Sequence, residues 1–281
     1  MQIVRETNVI NIKNKMTEIR RKRKGKIYNN YFNNCDKNDE TFVIYGSDTV
    51  VFWEYDNDII RGYFYSCNEK ELIDMLKLLP KGTIVDYLTK TKGELQSILE
   101  NGGLNLIQEM HRMSTVGLTE DEKYILAEKN KLLLETLYRP QNARSATLED
   151  LDSIYLKLYD VFDVRESHLP TKEELAEFIT NKWVAIYVEN NNLLGFLIFT
   201  VENGQFYGYQ IWNGTGPEGY FTLGRTTDIL YNEYLKKNNI SRDKVKPGYC
   251  WVNVKNKKSM RVVKFWGNKF DGLYDFVYEK I

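Results

Sequence analysis

Runs of four to eight apolar and β-branched residues alternate along this chain with segments in which apolar residues recur at helical spacing. From position 41 the pattern predicts strand, strand, strand, helix, strand, helix, strand. The first-half elements are TFVIYG, TVVFWEY, IIRGYFYS, EKELIDMLKLL, TIVDYLT, GELQSILENG and LNLIQEMHRM. The same order returns in the second half, beginning with WVAIYVEN, LLGFLIFT and QFYGYQIWN. The sequence therefore predicts an α+β fold of two tandem units, each with a mixed, mostly antiparallel sheet flanked by helices, and chance similarity of two ordinary α+β domains is the alternative.

Four segments follow from this pattern. Residues 1–40 form an N-terminal helical, basic segment and a polar linker, and residues 41–117 form the first unit. Residues 118–143 are a charged helical connector. Residues 144–281 form the second unit, which opens with RSATLEDLDSIYLKL, where Thr147 can cap a helix.

Charge argues against a nucleic-acid partner. The 281 residues include 39 basic and 39 acidic side chains, so the net charge is zero, whereas nucleic-acid binding leaves a basic footprint. The basic run from Arg20 to Lys26 is either a solvated helix face or an RNA contact. No apolar run reaches the ~20 residues of a membrane span, and the N-terminus lacks a signal-peptide core, so a cytoplasmic protein without membrane contact is expected.

Metal chemistry is not expected. The cysteines are Cys35, Cys67 and Cys250, which are far apart and lack metal-ligand spacing. Two histidines, His111 and His168, cannot build a histidine-rich centre. The thiols are expected to be reduced, with Cys250 inside a strand.

A glycine-rich turn, GTGPEG from Gly214 to Gly219, follows the third strand of the second half. A turn between a strand end and a helix start exposes backbone N–H groups that can bind a pyrophosphate. Its three glycines allow close backbone approach, although Pro217 removes one donor. The first half has YSCNEKE at this place, without glycine, so a scaffold-like first half and a ligand-binding second half are expected. A plain strand-to-helix connection is the alternative.

Three segments of the second half resemble the GNAT acyltransferase superfamily, specifically tandem members whose N-terminal half is degenerate. RSATLEDLDSIYLKL resembles the opening strand and helix, and LLGFLIFTVENGQFYGYQIW resembles the central antiparallel strands. NKKSMRVVKFWGNKF resembles the helix with the N-x-x-A/S motif, with Asn256, Ser259 and Gly267 at the motif spacing. The first half resembles the superfamily more loosely.

The resemblance implies a GNAT-type N-acyltransferase that moves an acyl group, expected to be acetyl, from acyl-CoA to an amine of a small molecule or peptide. Acyl-CoA, such as acetyl-CoA, is then the cosubstrate, and no metal is required. The backbone near the end of the third strand would polarise the thioester carbonyl. The expected acyl-CoA-binding residues are Ile211, Trp212, Asn213, Gly214, Thr215, Gly216, Gly219, Asn256 and Ser259.

Two departures from the superfamily pattern bear on catalysis. No arginine precedes the glycines, and Val263 stands where a tyrosine commonly protonates the departing thiolate. Valine cannot donate a proton, so the acid would be water or another hydroxyl. Tyrosines on strands expected to border the cleft are the candidates: Tyr207, Tyr209, Tyr274 and Tyr278. Tyr209 is the leading one.

A carboxylate acting through water could deprotonate the amine. The candidates are Glu202, Glu218, Asp163 and Glu166, with Glu218 as the leading one. His168 could help to recognise the acceptor. Two other functions remain open: a non-catalytic ligand-binding protein, which explains both departures, and an aminoacyl-tRNA-dependent peptidyltransferase, which the zero net charge disfavours.

Overall fold

The computed structural model describes residues 2–22, 25–30, 41–56, 59–165 and 167–281. The chain forms two compact units. The first contains Met1–Met110 and Gly272–Ile281, and the second contains His111–Asp271. Both combine a mixed sheet with helices, so the predicted α+β class is confirmed. The described residues include no helix that is long and apolar enough to cross a membrane.

The first unit is built on one sheet with the strand order β1-β3-β4-β5-β6-β13-β7, and β2 lies beside β5. Its strands are β1 (Ile3–Glu6), β2 (Tyr28–Asn29), β3 (Thr41–Tyr45), β4 (Thr49–Asp56), β5 (Ile59–Ser66), β6 (Thr83–Thr89), β7 (Leu104–Ser114) and β13 (Lys269–Lys280). Its helices are α1 (Val9–Lys22), α2 (Glu69–Leu76) and α3 (Glu94–Asn101). The ends of β7 and β13 that lie within His111–Asp271 belong to the second unit.

Helices cover both faces of this sheet. On one face α2 and α3 pack in a core that includes Phe64, Leu72 and Phe276. On the other face α1 buries Ile12 and Ile19 against the sheet, at a spacing that places both on one side of the helix. Burial of large apolar side chains on both faces is the main stabilising term for such a layered unit.

The last strand of the chain is part of the first unit. Residues Tyr274–Glu279 of β13 pair antiparallel with Ile84–Thr89 of β6. Phe276 and Tyr278 are fully buried in the core of this unit. The predicted boundaries assigned residues 144–281 to one unit, whereas the structure groups the last ten residues with the first.

The second unit has the sheet order β12-β11-β10-β9-β8. Its own strands are β8 (Ala143–Ser145), β9 (Val184–Glu189), β10 (Asn192–Glu202), β11 (Gln205–Asn213) and β12 (Tyr249–Asn253). Its helices are α4 (Glu120–Thr136), α5 (Leu151–Val161), α6 (Lys172–Thr180), α7 (Pro217–Lys237) and α8 (Lys257–Phe265). Short 3₁₀ turns occur at Pro140–Asn142, Leu148–Asp150 and Arg242–Lys244.

Two hydrophobic clusters hold this second sheet. The helices α5 and α6 pack on one face around Phe196 and Ile198. The long helix α7 packs on the other face, against Leu197 and Phe199. The alternation of these four neighbours on β10 explains why a continuous apolar run forms a strand that is buried on both sides.

The predicted order of strands and helices occurs twice along the chain. It is β3-β4-β5-α2-β6-α3-β7 in the first repeat and β9-β10-β11-α7-β12-α8-β13 in the second. The sequence did not predict β1 or β2. The basic run ends α1, whose last turn holds Arg20, Arg21 and Lys22. The predicted linker over 31–40, with Cys35, lies outside the described residues.

Candidate functional site

The strands β11 and β12 run parallel but separate soon after they meet. They pair only at Tyr207 with Tyr249 and at Gly208 with Cys250. Among the described residues, no strand lies beside the remaining length of β11, from Tyr209 to Asn213, on the β12 side. This part of β11 keeps its other neighbour, β10. An unpaired strand edge offers N–H and C=O groups to an extended ligand.

A β-bulge marks the point of separation. Ile198 and Phe199 of β10 face Gln210 and Gly208 of β11, so Tyr209 is the extra residue. A bulge bends its strand and increases the local twist, which turns the end of β11 away from β12. We call the space between β11 and β12 beyond Gly208 the gap. Glycine at position 208 allows the two strands to approach closely just before the gap, because a Cβ there would lie 3.2 Å from the Cβ of Cys250.

Aromatic side chains gather at the start of the gap. The ring of Tyr207 stacks on Tyr249 with centroids 5.0 Å apart and meets the edge of Tyr209 at 5.6 Å. Burial raises the pKa of Tyr249, so its hydroxyl stays protonated at neutral pH. The hydroxyl of Tyr209, the leading candidate acid, donates a hydrogen bond to the carbonyl of His168.

The last residues of β11 point to both faces of the sheet. Ile211 packs in the α7 cluster, and Trp212 packs in the α5–α6 cluster. The ammonium group of Lys157 lies 4.9 Å from the centroid of the Trp212 ring. These side chains anchor the strand, so the expected ligand contacts of Ile211 and Trp212 are those of their backbone.

Asn213 organises the glycine-rich turn. Its amide nitrogen donates to the carbonyl of Gly216 at 2.9 Å. Its side-chain oxygen accepts from the backbone N–H of Thr215 at 3.2 Å and from the Thr215 hydroxyl at 2.8 Å. The N–H of Gly214 donates to the carbonyl of Leu194 at 2.8 Å. The turn is therefore held by its own hydrogen bonds, and Asn213 is a structural residue of it.

The helix α7 begins directly after this turn. Gly216 is its N-cap and Pro217 is in its first turn, a position where the missing N–H costs nothing. The carboxylate of Glu218 accepts a hydrogen bond from the N–H of Gly216 at 3.2 Å. Negative charge is favoured at a helix N-terminus, and here the chain supplies its own. The turn for which an anion site was predicted thus lies at the start of α7, where Glu218 accepts from one of its N–H groups.

The motif residues of the last helix lie at its N-terminus. Asn256 is the N-cap of α8, and its side-chain oxygen accepts from the N–H of Ser259 at 3.0 Å. Val263 is buried in a cluster with Met113 and Val252. The side chain at the position of the superfamily's tyrosine thus faces the core of the second unit.

The other candidates lie on other segments or outside the described residues. Tyr274 and Tyr278, which were expected to border the cleft of the second half, lie on β13 and pair with β6 in the first unit. Asp163 binds Arg165, which lowers the pKa of the carboxyl and weakens it as a base. Glu166 lies outside the described residues.

Glu202 is exposed at the end of β10. The thiol beside the gap is not a nucleophile at neutral pH, because burial raises the pKa of Cys250 to about 12. No group of three or more potential metal-ligating side chains occurs in the described parts of the chain.

Comparison with known proteins identifies the fold. No protein-family profile matches the chain, and no curated protein matches it. Among solved structures, a GCN5-related N-acetyltransferase from Sphaerobacter thermophilus matches with a TM-score of 0.54 at 11% identity, covering 88% of this chain and 82% of that one. A GNAT-family acetyltransferase from Colwellia psychrerythraea matches with a TM-score of 0.53 at 8% identity over 100% of both chains.

A tandem GNAT protein from the clavulanic acid biosynthesis pathway also matches. Its TM-score is 0.50 at 9% identity, and the match covers 99% of this chain and 97% of that one. The sequences have little in common at these identities, so the likeness is one of backbone architecture. The repeated strand and helix order and the full-length match agree with each other: the chain has the tandem GNAT fold.

Proposed function

We propose that the second unit binds an acyl-CoA and transfers its acyl group to an amine of a small molecule or peptide. The observation that carries this proposal is the edge of β11 from Gln210 to Asn213. No described strand lies beside this edge on the β12 side, and it leads directly to the turn before α7. An extended ligand with amide groups along its length and phosphates at one end fits these two features in sequence. Acyl-CoA has that chemical layout, and its acetyl form is the expected one.

The pantetheine amides would pair with the backbone of β11 from Gln210 to Asn213. The pyrophosphate would approach the turn from Gly214 to Gly219, where three N–H groups are already used within the protein. One of the three, that of Gly216, donates to a side chain, the carboxylate of Glu218. We propose that the carboxylate of Glu218 leaves this N–H when the pyrophosphate arrives. This makes Glu218 a competitor of the ligand, in place of the base role first expected for it.

The thioester would lie near the bulge. A neutral amine attacks the carbonyl carbon, and a tetrahedral oxyanion forms that a backbone N–H of β11 can stabilise. Collapse of this intermediate breaks the C–S bond and releases CoA thiolate, which takes up a proton. The attacking nitrogen gives its extra proton to water as the amide forms, so one proton is lost for each one gained. Tyr209 is proposed as its source, and this requires the hydroxyl to exchange the His168 carbonyl for the sulfur. His168 and its loop would then border the acceptor.

Ligand-dependent stability and thiol release test this function. Acetyl-CoA and longer acyl-CoAs at about 100 times the dissociation constant should add ~2.7 kcal/mol to the stability of the folded protein. Release of CoA with a panel of amines should then exceed the uncatalysed rate. No thermal shift with any CoA thioester would refute the proposal.

A non-catalytic acyl-CoA-binding protein is the second candidate. Two observations favour it: the buried side chain of Val263 and the bond that engages the Tyr209 hydroxyl. Saturable acyl-CoA binding without CoA release for any amine would support this candidate over the enzyme.

A further inference from the structure

The first unit also contains two parallel strands that separate and leave a gap, as β11 and β12 do in the second unit. The strands β5 and β6 run parallel and pair only at Ile60 with Thr83 and at Arg61 with Ile84. Beyond these pairs β5 continues to Ser66 without a β6 partner. The divergence therefore occurs in both repeats, after two paired positions in each.

In the first unit the gap is filled by the chain itself. The short strand β2 pairs antiparallel with β5, with Tyr28 opposite Ser66 and Asn29 opposite Tyr65. The next residue, Asn30, continues this strand, and its backbone N–H donates to the carbonyl of Phe64 at 3.3 Å. The segment Tyr28–Asn30 thus lies along the edge of β5 that β6 leaves open.

The side chain of Asn30 forms hydrogen bonds to both strands that border the gap, β5 and β6. Its amide nitrogen donates to the carbonyls of Gly62 and Asp86, each at 3.0 Å. Its oxygen accepts from the N–H of Phe64 at 2.7 Å. One side chain therefore satisfies three backbone groups, two on β5 and one on β6, that the separation of the strands leaves without a ladder partner.

Burial shows that this segment is part of the folded core. Asn30 is only 2% exposed, and Tyr28 is 7% exposed within the cluster that contains Phe64 and Leu72. A buried amide with all its groups bonded stabilises one arrangement, because every alternative leaves unsatisfied backbone groups. Displacement of the segment would expose the Tyr28 ring and strip partners from the three groups that Asn30 bonds.

The two gaps differ in the features that suit a ligand. Pairing of β4 with β5 is regular from Thr49 to Asp56, whereas β11 carries the bulge at Tyr209. The turn after β5 leads to an α2 helix that is capped by Asn68, whose side chain accepts from Glu71. The first unit thus combines a regular strand, a self-capped helix and an occupied edge.

We infer that the gap of the first unit is a receptor for an extended peptide strand, and that its occupant is this chain's own segment Tyr28–Asn30. Asn30 is the positioning residue that locks the strand to both walls. The gap of the first unit is therefore closed to acyl-CoA. This inference goes beyond the proposed function, since it concerns the other unit and holds whatever the second unit binds.

Hydrogen exchange in the full-length protein tests whether the side chain of Asn30 holds the segment Tyr28–Asn30 in place. Asn30→Ala removes the acceptor for the Phe64 amide, so we expect that amide to exchange at least about tenfold faster and the melting temperature to fall by several degrees. The matched control is Asn29→Ala. The side chain of Asn29 makes no hydrogen bond to the described residues, and the backbone pairing of this residue with Tyr65 remains. The control should leave both quantities near their wild-type values.

Equal behaviour of the two variants would overturn the inference. The stoichiometry of acetyl-CoA binding, measured by calorimetry, is an independent test. Because the gap of the first unit is closed, at most one molecule of acetyl-CoA should bind per chain. Two equivalents bound by the wild-type chain would also overturn it. Absence of any acetyl-CoA binding would refute the proposed function alone, since the exchange of the Phe64 amide is measured without ligand.

Discussion

The carboxylate of Glu218 and the backbone N–H of Gly216 form a hydrogen bond of 3.2 Å at the start of the longest helix of the second unit. The bond places a negative charge at the one point of this unit where a strand edge, a glycine-rich turn and a helix N-terminus meet. A carboxylate there stabilises the helix and repels a second anion. The same side chain thus supports the ligand-free fold and opposes phosphate binding.

Neutralising this carboxylate should strengthen acyl-CoA binding. A charge at a helix N-terminus contributes about 0.3–1 kcal/mol, so Glu218→Gln should tighten the dissociation constant of acetyl-CoA by about 2- to 5-fold in calorimetry at low salt. The gain should shrink as salt screens the repulsion. Glu233→Gln on the same helix is the control, because this exposed side chain is farther along α7 and should change affinity little. Weaker binding by a folded Glu218→Gln would show that the carboxylate assists the ligand.

Gly219 should be the glycine of the turn that tolerates substitution least. A Cβ at this position would lie 2.1 Å from the Thr215 hydroxyl oxygen and 2.4 Å from the Asn213 side-chain oxygen, both of which hold the turn. Gly219→Ala should therefore cost about 1–3 kcal/mol through local strain and weaken acyl-CoA binding about tenfold or more.

Gly216→Ala is the matched control for this prediction. The three atoms nearest to a Cβ at Gly216 all belong to the carboxylate group of Glu218, the first at 2.6 Å, and this end of a flexible side chain can move away. The backbone of Gly216 has a φ of −89°, which alanine adopts without strain. Affinity should be unchanged or improved in Gly216→Ala. Equal loss in both variants would mean that the turn tolerates no side chain at all, and the argument from the Asn213 bonds would fail.

The repeated order of strands and helices could be predicted because the spacing of apolar residues within each segment depends only on the local sequence. Strands such as Thr83–Thr89 were predicted with their observed bounds, since β-branched residues and turn signals mark both ends. The position of the glycine-rich turn was also predicted. The turn was expected to extend to Gly219, whereas α7 begins at Pro217, because proline suits the first turn of a helix.

The features that were not predicted depend on long-range pairing. The local sequence of Tyr28–Asn30 does not indicate that this segment pairs with β5. The pairing of β13 with β6 joins residues almost 200 positions apart. The bulge at Tyr209 arises from the register between two strands, which a single strand does not contain. The candidate residues at the end of β13 are thus grouped with the first unit, whereas those on β11 and the turn lie together in the second.

Position 263 should not tolerate tyrosine, the residue that the superfamily pattern has there in place of Val263. The side chain is 6% exposed and packs against Met113 and Val252, so the larger ring would overfill this cluster. Val263→Tyr should lower the free energy of unfolding by about 1–3 kcal/mol, as measured by urea denaturation, without increasing CoA release.

Lys264→Tyr provides the control, because it places the same ring on the exposed side of α8 and should change stability by less than about 0.5 kcal/mol. A stable Val263→Tyr protein with a large gain in CoA release would contradict the packing argument. It would also show that a missing acid limits the reaction.

Cys250 should stay a neutral thiol over the physiological range and link stability to alkaline pH. Burial raises its pKa from 9.0 to about 12, so its native alkylation by iodoacetamide at pH 8 should be about a thousandfold slower than in the unfolded chain. The thiolate is disfavoured in the folded state, and the unfolded state therefore loses its proton first. The contribution of this group is complete below about pH 9 and is lost as the pH rises from about 9 towards 12.

Mass spectrometry of the Cys250 peptide, with and without urea, measures the first effect. Denaturation across pH measures the second, and Cys250→Ala should make the loss of stability above pH 9 shallower than in the wild type. Burial also raises the pKa of Tyr278 to about 12, and its titration has the same sign, so the difference between the two proteins isolates the thiol. Rapid native alkylation of Cys250, or identical slopes in the two proteins, would show that the thiol beside the gap is accessible and ionises normally.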